Sequence, residues 1–327
     1  MKIVCPVAQA RARQALSAEL EEKLQQLGSF IWFDGYPETS ETYLERVRDA
    51  DGLLLTWNIP AEVLNSCPRL KTISFWGTDP RKFIDLSLAS GKGIAVTNTP
   101  HYGDHAVAEH TLALILCCAK RISQLDGLVH QGAWEQGEYS MELWNKTLGL
   151  VGLGGIGREV ARLAKAFGMR VLYHDVTRRK DIESLLEVEY VSNLHEIFKH
   201  ADVVTLHIPH TPKTERIITR GLMELLKPGS IFVNTARAEL VDNQALAELL
   251  AAKKLGAVGL DVHDAEPIEP DTPFLGVENA VLTPHVASNT AEAADNSMKL
   301  TVDNLMAFFS GHPQNVVNPE VLNKTTR

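Results

Sequence analysis

The sequence predicts an α/β protein made of two doubly wound parallel-sheet domains. Three observations carry this. Short apolar runs alternate with amphipathic stretches in two successive blocks, a glycine turn joins strand to helix near the middle, and 327 residues exceed the size of a typical single domain.

In the first block, strands are predicted at residues 2–5, 30–33, 53–56, 71–75 and 94–97. Between them, an amphipathic helix over 10–27 stops at Gly28, further helices cover 41–50 and 59–65, and Asp79 caps a helix with Pro80 at its first position. After Pro100 the pattern over 105–122 places Val107, Leu112, Leu114, Ile115 and Leu116 around most of a helix, as a buried helix requires. The second block, 147–286, is predicted to hold six strands, at 148–153, 171–174, 203–206, 231–234, 257–260 and 281–282. Ser288 and Asn289 read as caps of a last helix, with Met298, Val302, Leu305, Met306 and Phe309 at helical spacing up to Gly311. Lacking a strand of its own, this helix is expected to pack back on the first block.

Composition narrows the function classes. Hydrophobic residues at 45% and charged residues at 22% exclude a disordered chain. The 32 basic and 41 acidic residues give a net charge of −9 without a basic stripe, a poor match to nucleic acid or an anionic membrane. The longest apolar run, 112–119, is shorter than the ~18 residues a bilayer needs. Cys5, Cys67, Cys117 and Cys118 show no C-x-x-C spacing, which points to reduced thiols and not to zinc or a disulfide framework. With no signal-peptide pattern at the start, a cytoplasmic protein is expected.

Residues 147–158, Thr147-Leu-Gly-Leu-Val-Gly-Leu-Gly-Gly-Ile-Gly-Arg, set Gly152, Gly154 and Gly157 in the G-x-G-x-x-G pattern. Gly152 would make the turn, Gly154 would let backbone approach a pyrophosphate, and Gly157 would let helix and strand pack closely, with the helix N-terminus facing the anion. A second strand ends in Asp175, close to the ~20-residue spacing of a ribose 2′-hydroxyl acceptor. Asp175 would repel a 2′-phosphate, so NAD is the expected cofactor, although Arg178 and Arg179 follow it.

Three polar segments follow the later strands: Asn234-Thr-Ala-Arg, Asp261-Val-His-Asp-Ala-Glu and Thr283-Pro-His-Val-Ala. Each contributes one candidate, Arg237, Glu266 and His285. Reduction of a 2-oxo acid needs a cation for the carboxylate and ketone, a proton donor for the developing alkoxide, and a carboxylate that keeps that donor charged, and these three side chains supply them. Asp261, His263, Asp264 and Glu266 form no recognisable metal set, so no metal is expected.

The chain resembles the D-isomer-specific 2-hydroxyacid dehydrogenase family over nearly its whole length. The motifs are Val96-Thr-Asn-Thr-Pro, Ala106-Val-Ala-Glu-His-Thr-Leu-Ala-Leu-Ile-Leu, the glycine turn, Phe167-Gly-Met, Leu206-His-Ile-Pro, Lys227-Pro-Gly and the three polar segments. The resemblance implies a flavodoxin-like substrate domain, residues 1–100 and 287–327, with a Rossmann-type NAD-binding domain, 101–286, inserted into it and the site in the cleft. It implies Arg237 as substrate-binding arginine, His285 as acid/base and Glu266 as its partner. Gly155 and Ile156 then lie in the phosphate turn, Pro209 and Thr214 near the adenosine, and Thr235, Ala236 and Asp261 around the nicotinamide. Amides near Trp76, Gly77 and Thr78 are expected at the substrate carboxylate. It further implies a homodimer with the helix from His105 at its interface.

This chain departs from the family pattern at three places. Ala238 follows the arginine where glycine is usual, the loop Phe75-Trp-Gly-Thr-Asp-Pro-Arg-Lys lacks a second glycine, and His101 stands for a glycine. Arg81 and Lys82 raise the expectation of a second anionic group on the substrate. Two other readings keep the scaffold: a dehydrogenase of another anion such as phosphite, or a nucleotide-sensing corepressor-like binding protein. Formate dehydrogenase is disfavoured, since that branch has glutamine where Glu266 stands.

Overall fold

A computed structural model describes residues 1–8, 10–134, 137 and 139–324. The chain divides into two compact units, Met1–Gly103 with Thr290–Arg327, and Asp104–Asn289. Each holds one all-parallel sheet, as the alternating pattern predicts.

In the first unit, strands β1 (Lys2–Ala8), β2 (Ser29–Asp34), β3 (Gly52–Leu55), β4 (Thr72–Phe75) and β5 (Ala95–Thr97) pair in the order β2-β1-β3-β4-β5. β3, β4 and β5 are buried at every residue, because helices cover both faces of a parallel sheet. The C-terminal helix Ala291–Phe309 belongs to this unit. Its Met298, Val302 and Leu305 join Ile3, Leu24 and Leu54 in one core cluster, and Ser74 Oγ donates to the Thr301 carbonyl at 2.8 Å.

Local chemistry moves several predicted boundaries. The helix expected over 10–27 is two helices, Ala10–Ala15 and Ala18–Gln26, because Ser17 is extended and its hydroxyl caps Leu20 N–H. Asp79 caps only a short 3-10 turn, Pro80–Lys82, and a separate helix, Leu86–Gly91, starts behind Asp85. Thr290, not Ser288 or Asn289, caps the last helix by accepting from Ala293 N–H.

The second unit holds β6 (Thr147–Val151), β7 (Arg170–His174), β8 (Glu189–Tyr190), β9 (Val203–Leu206), β10 (Ser230–Asn234), β11 (Leu255–Leu260) and β12 (Ala280–Leu282). Their order is β12-β11-β10-β9-β6-β7-β8, seven strands where six were expected. The added strand, β8, has only two residues, one of them exposed, so no apolar run announces it. The helix Asp104–Lys120 packs Leu114, Ile115 and Cys118 into the cluster of Leu148, Leu150 and Val233. All pairings are parallel, so every strand's carboxyl end lies along one edge, and the order reverses between β6 and β9, the place where such sheets bind nucleotides.

Cys5, Cys67, Cys117 and Cys118 are free thiols, and burial pushes Cys118 up to about 12. Among the described residues, no helix is long and apolar enough to cross a membrane, and no cluster could hold a metal ion.

Candidate active site

The turn after β6 is built from absent side chains. Gly152 sits at φ 100°, where a Cβ would stand 2.4 Å from the His207 carbonyl oxygen, and a Cβ on Gly157 would stand 2.2 Å from Gly152 O. No other residue fits either position. A Cβ on Gly154 meets nothing within 4 Å, so that glycine leaves open space. The helix Gly155–Ala166 begins inside the glycine motif, with Gly154 as an N-cap that offers no side-chain acceptor. The first-turn amides of Gly155, Ile156 and Gly157 therefore keep their need for an acceptor, and the helix dipole favours an anion there.

Asp175, at the end of β7, accepts from Leu153 N–H at 2.8 Å and from Thr177 N–H at 3.0 Å, which holds its carboxylate at the rim of the glycine turn. After β9, the Thr214 hydroxyl donates to the Pro209 carbonyl at 2.8 Å, tying together two residues expected near the adenosine. A glycine cradle open at Gly154, an uncapped helix terminus and an acid at the end of the adjacent strand fit a dinucleotide.

Arg237, Glu266 and His285 follow β10, β11 and β12, three neighbouring strands whose carboxyl ends share one edge. Behind Arg237, the buried Asn234 side chain accepts from Ala236 N–H at 3.0 Å and donates to the Arg237 carbonyl at 2.8 Å, shaping the turn. Thr235 is buried against Thr111, hydroxyl to hydroxyl at 2.8 Å. His285 Nδ1 lies 2.7 Å from Glu266 Oε2, and the other Glu266 oxygen accepts from His263 N–H at 3.2 Å. Both partners are about two-fifths exposed, so the pair faces solvent.

The family model described as "D-isomer specific 2-hydroxyacid dehydrogenase, NAD binding domain" matches residues 112–287. The chain belongs to this family. A glyoxylate reductase of Korarchaeum cryptofilum is 39% identical over 89% of the chain and 90% of that protein. Among solved structures, a D-2-hydroxyisocaproate dehydrogenase superposes with a TM-score of 0.85 at 27% identity, covering 97% of this chain and 100% of that one. An acyclic imino acid reductase in complex with NADPH and D-Arg gives 0.83 at 30%, with the same coverage. This D-2-hydroxyacid dehydrogenase is thus an NAD-dependent oxidoreductase acting on CH–OH groups, and residues 112–287 carry its NAD-binding domain.

Other residues of the dehydrogenase lie differently from expectation. Arg178 is forked onto Glu183 at 2.8 Å through each nitrogen and covers the Tyr190 ring, so its charge is committed away from the Asp175 carboxylate. Arg81 is likewise forked onto Asp79 at 2.8 Å, so its charge is shared with that carboxylate. In the loop 76–78, Trp76 N–H donates to Leu55 O and Gly77 N–H to Phe75 O, so two of the amides expected at the substrate carboxylate are engaged within the protein. Ala238 is buried in a short 3-10 turn at negative φ, where alanine fits, whereas His101 takes the left-handed φ of 63° expected of the usual glycine.

Sequence patterns assign no role to His110 or His263. His110 Nε2 lies 3.0 Å from Thr283 Oγ1 and 3.4 Å from Asp261 Oδ1, and His263 Nε2 lies 2.9 Å from Thr283 O. Asp261, expected at the nicotinamide, has no exposed surface, and both of its oxygens accept from protein donors. His110 precedes Thr283 by 173 residues, and no spacing rule could have joined them.

Proposed function

We propose that the protein reduces a small 2-oxo acid to the D-2-hydroxy acid, with Arg237 holding the substrate carboxylate and His285, partnered by Glu266, as acid/base. The observation that carries this reading is the 2.7 Å His285–Glu266 pair one strand away from the Arg237 turn. Bound NADH supplies the hydride. Arg237 neutralises the carboxylate and draws electron density from the ketone. Glu266 fixes Nδ1, leaving Nε2 of His285 to deliver the proton to the alkoxide oxygen. Gly152, Gly154, Gly155, Ile156, Gly157 and Asp175 take the pyrophosphate and ribose, Pro209 and Thr214 the adenosine, and Thr235 and Ala236 the nicotinamide side. The loop at Trp76, Gly77 and Thr78 remains the proposed carrier of further carboxylate contacts.

Glyoxylate is the first substrate to test, since glyoxylate reductases recur among the relatives, each covered over most of its length. We further propose a homodimer. Ile122 and Val129 are more than half exposed in the helix Ile122–His130, and Trp134 and Trp144 follow it with 87% and 65% exposure, an apolar stretch suited to a second copy. The test is NADH oxidation against glyoxylate, hydroxypyruvate, pyruvate, phenylpyruvate and phosphite-type controls, with light scattering for mass. Turnover on a 2-oxo acid that falls about 10³-fold in Arg237→Ala and His285→Asn, with NADH affinity retained, is expected. Loss of NADH binding in those variants, or retained turnover, would refute the roles.

A further inference from the structure

Asp261 stands at the end of β11 with no exposed surface, and a carboxylate so placed must have its lone pairs filled. Its Oδ1 accepts from the Thr283 hydroxyl at 2.6 Å and from Val286 N–H at 2.9 Å, and Oδ2 accepts from Ala287 N–H at 2.8 Å. Burial alone would raise Asp261, but the bonds from His110, Thr283, Val286 and Ala287 outweigh it and hold the group below the usual carboxylate range.

Every one of these donors except His110 lies within residues 283–287, on either side of His285. Thr283 is fastened at three further points: its N–H donates to Leu260 O, His263 reaches its carbonyl at 2.9 Å, and His110 reaches its hydroxyl at 3.0 Å. His285 itself has φ 53°, a left-handed conformation that a residue with a side chain adopts only when its surroundings hold it there.

We propose that Asp261 and Thr283, backed by His110, form a buried clamp that fixes the strap carrying His285, which makes Asp261 and Thr283 positioning residues acting through that histidine. The inference rests on the reading of His285 as acid/base. It gives the Asp261 carboxylate a role in the strap beside the nicotinamide contact that family resemblance implies. With the clamp loosened, His285 leaves the conformation in which Nε2 meets the substrate oxygen, and the cofactor cradle around Gly152 is untouched.

The decisive series is Thr283→Val, Thr283→Ser and Asp261→Asn, each measured for kcat, KM of the 2-oxo acid and NADH affinity by fluorescence titration. Valine keeps the shape and deletes the donor to a buried charge, so kcat is expected to fall about 10- to 50-fold with NADH affinity within twofold of the parent. Serine, which restores the hydroxyl, is expected to recover kcat to within about threefold. Asp261→Asn sets an amide donor against the strap's N–H groups and is expected to lose about 100-fold or more in kcat. If that variant fails to fold, the Thr283 pair alone decides. An unchanged kcat in Thr283→Val beside an inactive His285→Asn would overturn the clamp and leave the acid/base reading standing. Asp261→Asn with weakened NADH and normal kcat would limit the residue to cofactor binding and overturn its part in the clamp. An active His285→Asn would remove the acid/base reading and the clamp with it.

Discussion

The chain bends sharply twice along the same sheet edge, after β6 and after β12, and it manages the two bends by opposite means. After β6 the backbone itself is the proposed binding surface, and glycines permit it: Gly152 at φ 100° and Gly157 pressed against it leave no room for a Cβ. After β12 the strap has no glycine at all. His285 occupies a left-handed conformation there, and Asp261 accepts from Thr283, Val286 and Ala287 around it. A site that needs only amides can be written in residue type, whereas a site that needs a side chain at the bend must borrow its constraint from residues far away in sequence.

The largest expected effect tests the first bend. Gly152→Ala forces a Cβ to within 2.4 Å of the His207 carbonyl at a φ that L-residues avoid, so a loss of roughly 3 kcal/mol or more in unfolding free energy is expected by denaturant titration. Tolerance of that alanine would end the argument that glycine is obligatory there. Next comes the second bend: Glu266→Gln keeps a hydrogen-bond partner for His285 but removes the charge, and kcat should fall about 100-fold while NADH affinity and stability hold. Parallel losses in kcat and NADH affinity would show that the two bends are not separable.

Gly154→Ala sharpens the contrast within the first bend. Its Cβ meets no protein atom, so stability should stay within about 0.5 kcal/mol, yet the methyl would stand where the pyrophosphate approaches, and NADH affinity should drop about tenfold. A matching loss of stability would mean that the position serves packing and not the ligand. The smallest effect concerns His207, packed behind the glycine turn, whose imidazole burial pushes down to about 3 from an ordinary 6.5. The unfolded chain takes up that proton first, so stability that is full above pH 6.5 drains as pH falls toward 3. Between neutrality and pH 5.5 this amounts to roughly 1 kcal/mol. His207→Gln should flatten that part of the stability-against-pH curve; an unchanged slope would assign it to other groups.

Much of the architecture was legible because its causes are local. Alternating apolar runs mark parallel strands, the glycine pattern marks the turn, and Arg237, Glu266 and His285 each sit just past a strand. What escaped were features decided by one or two atoms or by distance in sequence. Ser17 splits a helix with one hydroxyl, and β8 exists only because β7 offers an edge to Glu189 and Tyr190. Arg81 and Arg178 read as free cations until Asp79 and Glu183 are seen to hold them.

By itself the sequence determined the fold class, the glycine turn and the placing of Arg237, Glu266 and His285 just past three strands, since each depends on residue type at short spacing. Tertiary structure alone decided which neighbours those side chains have. The His110–Thr283–Asp261 network joins the helix Asp104–Lys120, β11 and the strap after β12, segments that only the packing of sheet and helix brings within hydrogen-bond distance. A hydrogen bond is set by ångströms in space, and sequence separation carries no information about it until the chain has folded.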